Sequence, residues 1–299
     1  SSCSRASPEA EKALPKFEAL TLANNHIRDY GDDGINDTIE TLNQVGIGHL
    51  GVGKTQAQAL APYLLKKKDS GLSVALFSVT TMKNVTGKKG FWHVASVDEL
   101  LNSEKLIHKT KNVANVLIAL VHMGYERVVH PSPEARNIAK KIIDLGFHAI
   151  ICHHPHIVQG YEIYREKPII YSLGDFVFDG SDQIRKESII AALDLTSQGV
   201  IQMKFHPVYI DANFRPVPAS EERSKQILSR IKAMTEKIAN CSSDESFFES
   251  AGQSFVGSQV KDWRRSWEHE KFKGIIKKLR RFRPIHAHLL FRSLMSRIR

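Results

Sequence analysis

Cysteine is scarce and scattered: Cys3, Cys152 and Cys241 are odd in number and far apart, so no disulfide framework can be read and the redox compartment stays open. No run approaches the ~18 uninterrupted apolar residues of a membrane-spanning helix, and residues 1–13 show no charged-then-apolar leader. Basic excess is missing from most of the chain too. Residues 261–299 hold thirteen Lys or Arg against three Asp or Glu, which accounts for the whole formal net charge of +10. The globular part is therefore balanced, and a pI near 9.4 gives no reason to expect a nucleic-acid partner there. No internal repeat is evident, and 299 residues suffice for one large domain with an extension or for two small domains.

Histidine, in contrast, stands at the ends of apolar runs. Ile150-Ile151-Cys152 runs into His153-His154-Pro155-His156, residues 19–23 run into Asn24-Asn25-His26, and residues 116–121 run into His122. Side chains two apart on an extended backbone share a face, so His154 and His156 are expected to aim at one point. If the three runs are neighbouring strands of one sheet, His26, His122, His154 and His156 meet at its carboxyl edge, where α/β sheets place ligands. Imidazoles with an amide oxygen suit zinc, manganese or iron better than magnesium or calcium. Two such ions ~3.5–4 Å apart can bind a phosphoryl group and acidify a bridging water, and a histidine off the metal can protonate the leaving oxygen. His49, His93, His108, His130, His148 and His206 lack this setting and read as ordinary surface or core residues. No organic cofactor is expected.

The rest of the chain alternates strands and helices. A short helix is expected at residues 8–14, closed by Pro15, then a strand at 17–23. Ile35, Ile39, Leu42 and Val45 have helical spacing, stopped by Gly46. Strands follow at 73–79, 116–121 and 149–152, with one helix over 97–110 that turns Leu100, Leu101 and Ile107 inward. Ser132-Pro133-Glu134 opens a helix running to Leu145, closed by Gly146, so residues 116–152 form a β-α-β unit with parallel strands. Arg165-Glu166-Lys167 between residues 162–164 and 169–173 reads as a hairpin. Strands expected at 174–179, 189–195 and 201–209 suggest a second sheet packed on the first. Pro216 and Pro218 mark a boundary, giving a domain of residues 1–215 and a helical, basic extension of residues 216–299, with a helix at 224–238. In the extension Phe272, Ile275, Ile276, Leu279 and Phe282 make one stripe among lysines and arginines. Such a helix lies on an anionic membrane surface, holds an anionic polymer, or packs on its own domain.

Gly48-His49-Leu50-Gly51-Val52-Gly53-Lys54-Thr55 matches the phosphate-loop pattern G-x-x-x-x-G-K-[ST]. That pattern cradles phosphate only between a buried strand and a helix. Residues 46–48 are too few for such a strand, so a glycine-rich turn is the better reading. Nucleotide binding through Lys54 and Thr55 is kept as an alternative.

Five blocks then occur in one order: Ala23-Asn24-Asn25-His26 with Asp29-Tyr30-Gly31; His122-Met123-Gly124-Tyr125-Glu126; Pro131-Ser132-Pro133-Glu134; His153-His154-Pro155-His156-Ile157-Val158-Gln159-Gly160; and Tyr171-Ser172-Leu173-Gly174-Asp175-Phe176-Val177-Phe178. Over residues 8–211 the chain resembles the CapA family of capsule-biosynthesis, or poly-γ-glutamate synthesis, proteins, itself similar to the calcineurin-like metallophosphatases. The resemblance implies an α/β fold, a metallophosphatase-like two-sheet α/β/β/α sandwich. It implies Asn25, His122, His154 and His156 as metal ligands and His26 as the acid beside a phosphoryl group, with His153, Glu126 and Asp175 behind the ligands. It also implies divalent manganese, zinc or iron, a phosphoester-type or anionic-polymer substrate, and a membrane-associated or extracytoplasmic setting. Asp29, Asp32, Asp33, Glu126 and Asp179 read as caps or surface charges rather than bridges between ions. The family's opening strand ending in Gly-Asp and its Asn-Leu-Glu block, which supply carboxylates, are not found, and Asp175 replaces the usual Asn. The expectation is therefore an N-terminally truncated sandwich lacking its first strand or strands, with an impaired hydrolytic site. A non-catalytic scaffold or binding protein in anionic-polymer synthesis or export is the alternative.

Overall fold

The computed structural model of the chain describes residues 6–7, 17–67, 70–81, 85, 90–178, 183–240 and 247. The helix expected at residues 8–14, Asp179 and the basic stripe of residues 261–299 lie outside these. In chain order the elements are β1 (Ala19–Thr21), α1 (Gly31–Gln44), β2 (Gly48–Leu50), β3 (Val52–Gly53), α2 (Gln56–Ala59), β4 (Tyr63–Lys66), β5 (Ser73–Thr80), β6 (His93–Val94), α3 (Val97–Leu101), α4 (Glu104–Lys111), β7 (Val116–His122), α5 (Pro133–Asp144), β8 (Ala149–His153), β9 (Tyr161–Tyr164), β10 (Lys167–Ile170), β11 (Glu187–Thr196), β12 (Gly199–Ile210), β13 (Pro216–Pro218) and α6 (Glu221–Asn240).

Runs that are apolar on both faces belong where both faces are covered. β5, β7, β8 and β10 are such runs and form the parallel centre of a six-stranded sheet, order β4-β5-β7-β8-β10-β9, with antiparallel edges. On one face Phe77, Leu117, Ala119, Ile150 and Ile169 pack against Leu100, Ile107, Ala139, Ile142 and Ile143 of the helices. On the other, Val74, Val116, Ile118 and Ala149 meet Leu193, Leu195 and Val200 of the second sheet, β11-β12-β13. The molecule is thus a mixed α/β fold with two facing sheets, as expected. The β7-α5-β8 unit is parallel, and the Ser132 hydroxyl accepts from the Ala135 N–H at 3.0 Å to start α5.

Several expectations need correction. β1 is not a strand of the main sheet; it pairs in parallel with β2 in a separate two-stranded sheet. Gly51, at φ +97, seats that sheet against β5, since a Cβ there would lie 2.7 Å from both Ala23 Cβ and Ser78 Oγ. Residues 48–55 are not a phosphate loop. Gly48–Leu50 is β2, Val52–Gly53 is β3 paired with β6, and Thr55 caps a helix of four residues, while Lys54 Nζ lies 3.8 Å from the Trp92 ring centroid. Residues 97–110 are two helices, broken where Ser103 Oγ donates to the Leu100 carbonyl at 2.7 Å. Val45 lies beyond the end of α1 and is exposed. Residues 174–178 form no strand: Leu173 makes a single bridge to Val158, and Gly174 turns away at φ +81.

The proline-bearing stretch is itself a strand. β13 hydrogen-bonds to β12, and α6 buries Ile227, Ile231 and Met234 against Val158 and Ile189. Ile238 reaches the helix-side core. The described part of residues 216–299 is therefore packed on what precedes it.

Candidate metal centre

The parallel register that pairs His122 with His153 brings the ends of β7 and β8 side by side. After His153 the chain turns sharply, with His154 at φ 109 and His156 at φ 61. Both values lie in the left-handed region that L side chains disfavour, a strain that concentrates at functional sites. The two rings converge through this turn, with centroids 6.1 Å apart, and not through the extended backbone that their spacing suggests. His122 lies against His154 as well, ring centroids 4.9 Å apart.

β1 delivers the next two residues although it belongs to another sheet. Asn24 Oδ1 accepts from the His26 N–H at 2.9 Å, closing a turn after the strand. That turn places Asn25 Oδ1 2.9 Å from His122 Nε2. His26 Nδ1 lies 2.6 Å from Asp29 Oδ2, and the Asp29 side chain is almost wholly buried. His156 Nδ1 lies 2.7 Å from Asp175 Oδ1. In each pair the Nδ1–H donates to the carboxylate, fixing the tautomer and leaving Nε2 for the cluster.

Glu126, His154 and His156 form a group whose donor atoms all lie within 4.8 Å of one another. Glu126, expected behind the histidines, thus lies in one group with His154 and His156. Asp29 is likewise no surface charge. His153 ends β8, and its carbonyl accepts from the Met123 N–H at 3.0 Å. Sequence reasoning missed two further residues. The Phe178 ring packs on His156 at 4.9 Å between centroids, and the Arg185 guanidinium lies 5.2 Å from the Phe178 ring centroid. The aromatic in the Gly174-Asp175-Phe176-Val177-Phe178 block was the available signal for the first.

Burial keeps these rings neutral. It pushes His122 down to about 2, helped by the neighbouring histidines, His154 first. It pushes His154 down to about 4 against the pull of Glu126, and His153 to about 4 by burial alone. Neutral imidazole is the form that binds a cation. His154 Nδ1 and Asp175 Oδ2 are buried with no hydrogen-bond partner among the described residues, so the donor set fits a divalent ion.

A mixed α/β protein with a histidine-rich candidate cation site at the carboxyl edge of its main sheet is the class this geometry defines. Residues 2–180 match the family described as bacterial capsule synthesis protein PGA_cap, and the chain belongs to that family. It is 28% identical over 221 residues to the PGA biosynthesis protein CapA of Bacillus subtilis, covering 72% of this chain and 57% of that protein. It is 28% identical to the capsule biosynthesis protein CapA of Bacillus anthracis, covering 74% of this chain and 55% of that one. The chain thus spans somewhat more than half the length of these relatives. Among solved structures, a putative 5′-nucleotidase from Staphylococcus aureus aligns at 16% identity and a TM-score of 0.45, over 73% of this chain and 42% of that one.

Proposed function

We propose that the cluster holds one or more divalent ions of the zinc, manganese or iron class, and that the chain is the hydrolytic part of a capsule or poly-γ-glutamate biosynthesis protein, acting on a phosphoester-type bond. The observation that carries this reading is that His154, whose Nδ1 is buried without a hydrogen-bond partner among the described residues, belongs to a group of converging donors. Such an unpaired nitrogen costs about 1–3 kcal/mol, which a bound cation offsets. His154, His156 and Glu126 would hold the ion, with His122 and Asn25 beside them. A bound ion of this class polarises a phosphoryl oxygen and acidifies water.

The remaining work belongs to the side chains. Asp29 holds the His26 ring so that Nε2 can carry the proton a leaving oxygen needs. Asp175 orients His156, and Phe178 walls the site on the His156 side. Arg185, stacked on Phe178, contributes positive charge of the sign an anionic substrate requires. Family membership supports the anionic-polymer setting.

Chelator-stripped protein, reloaded with zinc or manganese, is assayed for bound metal and for hydrolysis of a chromogenic phosphodiester. Near-stoichiometric metal that His154→Ala abolishes is the expected result. His26→Ala keeps the metal and loses about 10²–10⁴-fold in kcat. Protein that takes up neither ion overturns the reading and favours a scaffold or binding role. That second reading draws on Glu126 being the sole carboxylate in the converging group among the described residues.

A further inference from the structure

Glu126 is exposed and sits on a stretch, residues 123–128, that is neither helix nor strand. Arg127 beside it has φ +62, so the loop adopts a backbone its own residues disfavour. Contacts from outside must hold it. Two come from the turn that carries the histidines: Met123 N–H donates to the His153 carbonyl at 3.0 Å, and Arg127 N–H donates to the Pro155 carbonyl at 2.8 Å. A third is Gln159, buried, whose Nε2–H donates to the Val128 carbonyl at 2.6 Å. The fourth comes from beyond α6. Phe247 is only 5% exposed, packs its ring on Tyr125 at 5.7 Å between centroids, and joins Val128 in one buried cluster. Tyr125 and Val128 bracket Glu126, so a side chain more than a hundred positions away touches the loop on both sides of the carboxylate.

We infer that Phe247 is a positioning residue for the metal site: its ring, packed on Tyr125 and Val128, braces residues 125–128 and thereby sets Glu126 against His154 and His156. Its effect on a divalent cation is transmitted through Tyr125 and Val128. The inference rests on the metal reading above and makes the affinity of that site depend on the C-terminal part of the chain. Groups that orient metal ligands from behind change affinity by roughly 10–100-fold when altered.

The test is calorimetric titration of the stripped full chain with zinc or manganese alone. Wild type is compared with Phe247→Ala, Phe247→Leu, Glu126→Gln and the Phe247→Ala/Glu126→Gln double variant, with thermal melts of the stripped proteins alongside. Phe247→Ala and Glu126→Gln each weaken the ion about tenfold or more, Phe247→Leu recovers most of the loss, and the double variant is no weaker than Glu126→Gln. Should Phe247→Ala not fold, Tyr125→Leu removes the ring pair from the other side and carries the same cycle. Equal affinity in wild type and Phe247→Ala overturns the brace and leaves the metal reading standing. Full additivity of the two substitutions also overturns it, because a general loosening of the fold would act without Glu126. Wild type that binds neither ion overturns both.

Discussion

At the scale of single residues, the cluster depends on rings kept uncharged by burial. His122, His153 and His154 are pushed below the ordinary histidine value of 6.5, to about 2, 4 and 4. In metal-free protein the unfolded chain takes up protons from pH 6.5 downward while the folded chain does not. Their contribution to stability is therefore complete above pH ~6.5 and drains away as the pH falls toward 4, by up to ~1.4 kcal/mol per pH unit for each ring. Urea midpoints measured in chelator between pH 7.5 and 4.5 should fall steeply, and His154→Gln should make the fall shallower. An unchanged slope in that variant would mean that the ring protonates freely in the folded state. The histidines themselves are legible in the sequence because each follows an apolar run. Glu126 is not, since a carboxylate in a turn looks like any surface charge until residues 154–156 fold against it. Asp29 carried a local signal, three residues after His26, but only its burial distinguishes a ring partner from a helix cap.

At the scale of elements, legibility followed how many independent cues agreed. β7-α5-β8 has apolar strands, a Ser-Pro start and a glycine stop, and it folds as read. Residues 97–110 show one amphipathic pattern, and periodicity alone does not register the break before Ser103. Residues 174–178 are apolar enough for a strand, yet Asp175 is drawn to His156 instead of a ladder. The β9–β10 hairpin was visible from its turn, but not the cost of that turn: Arg165 and Glu166 sit at φ 49 and 63. Two-residue turns of this hand favour Asn-Gly, and each L residue held left-handed costs roughly 1–2 kcal/mol. Glu166 is exposed, so Glu166→Gly should stabilise the protein by about 0.5–1 kcal/mol after the added freedom of the unfolded chain is offset. A rise in the thermal midpoint of about 1–2 °C checks it. A lower midpoint would show that Glu166 makes a contact worth more than the strain.

At the scale of the whole molecule, the decisive element is α6, because it joins the two sheets and leads to Phe247. Ile227, Ile231, Met234 and Ile238 are all buried on it. Close contact is secured at Gly160, where a Cβ would lie 2.8 Å from the Thr235 nitrogen, and Thr235 Oγ1 accepts from the Tyr161 N–H at 3.1 Å. Burying four such side chains stabilises by about 6–12 kcal/mol at roughly 1.5–3 each, comparable to the ~5–15 kcal/mol that holds an ordinary domain together. Prolines at 216 and 218 suggest a boundary in sequence, but a proline-bearing edge strand is equally compatible with the chain chemistry, and β13 takes that form. Residues 1–215 alone should therefore show no cooperative urea transition. Residues 1–240 should keep a sigmoidal one, since α6 is retained, while binding zinc or manganese more weakly than the full chain because Phe247 is gone. A sharp transition in residues 1–215 would make the remainder a separable extension. Undiminished metal affinity in residues 1–240 would place the support for Glu126 within Gln159 and the His153 and Pro155 carbonyls.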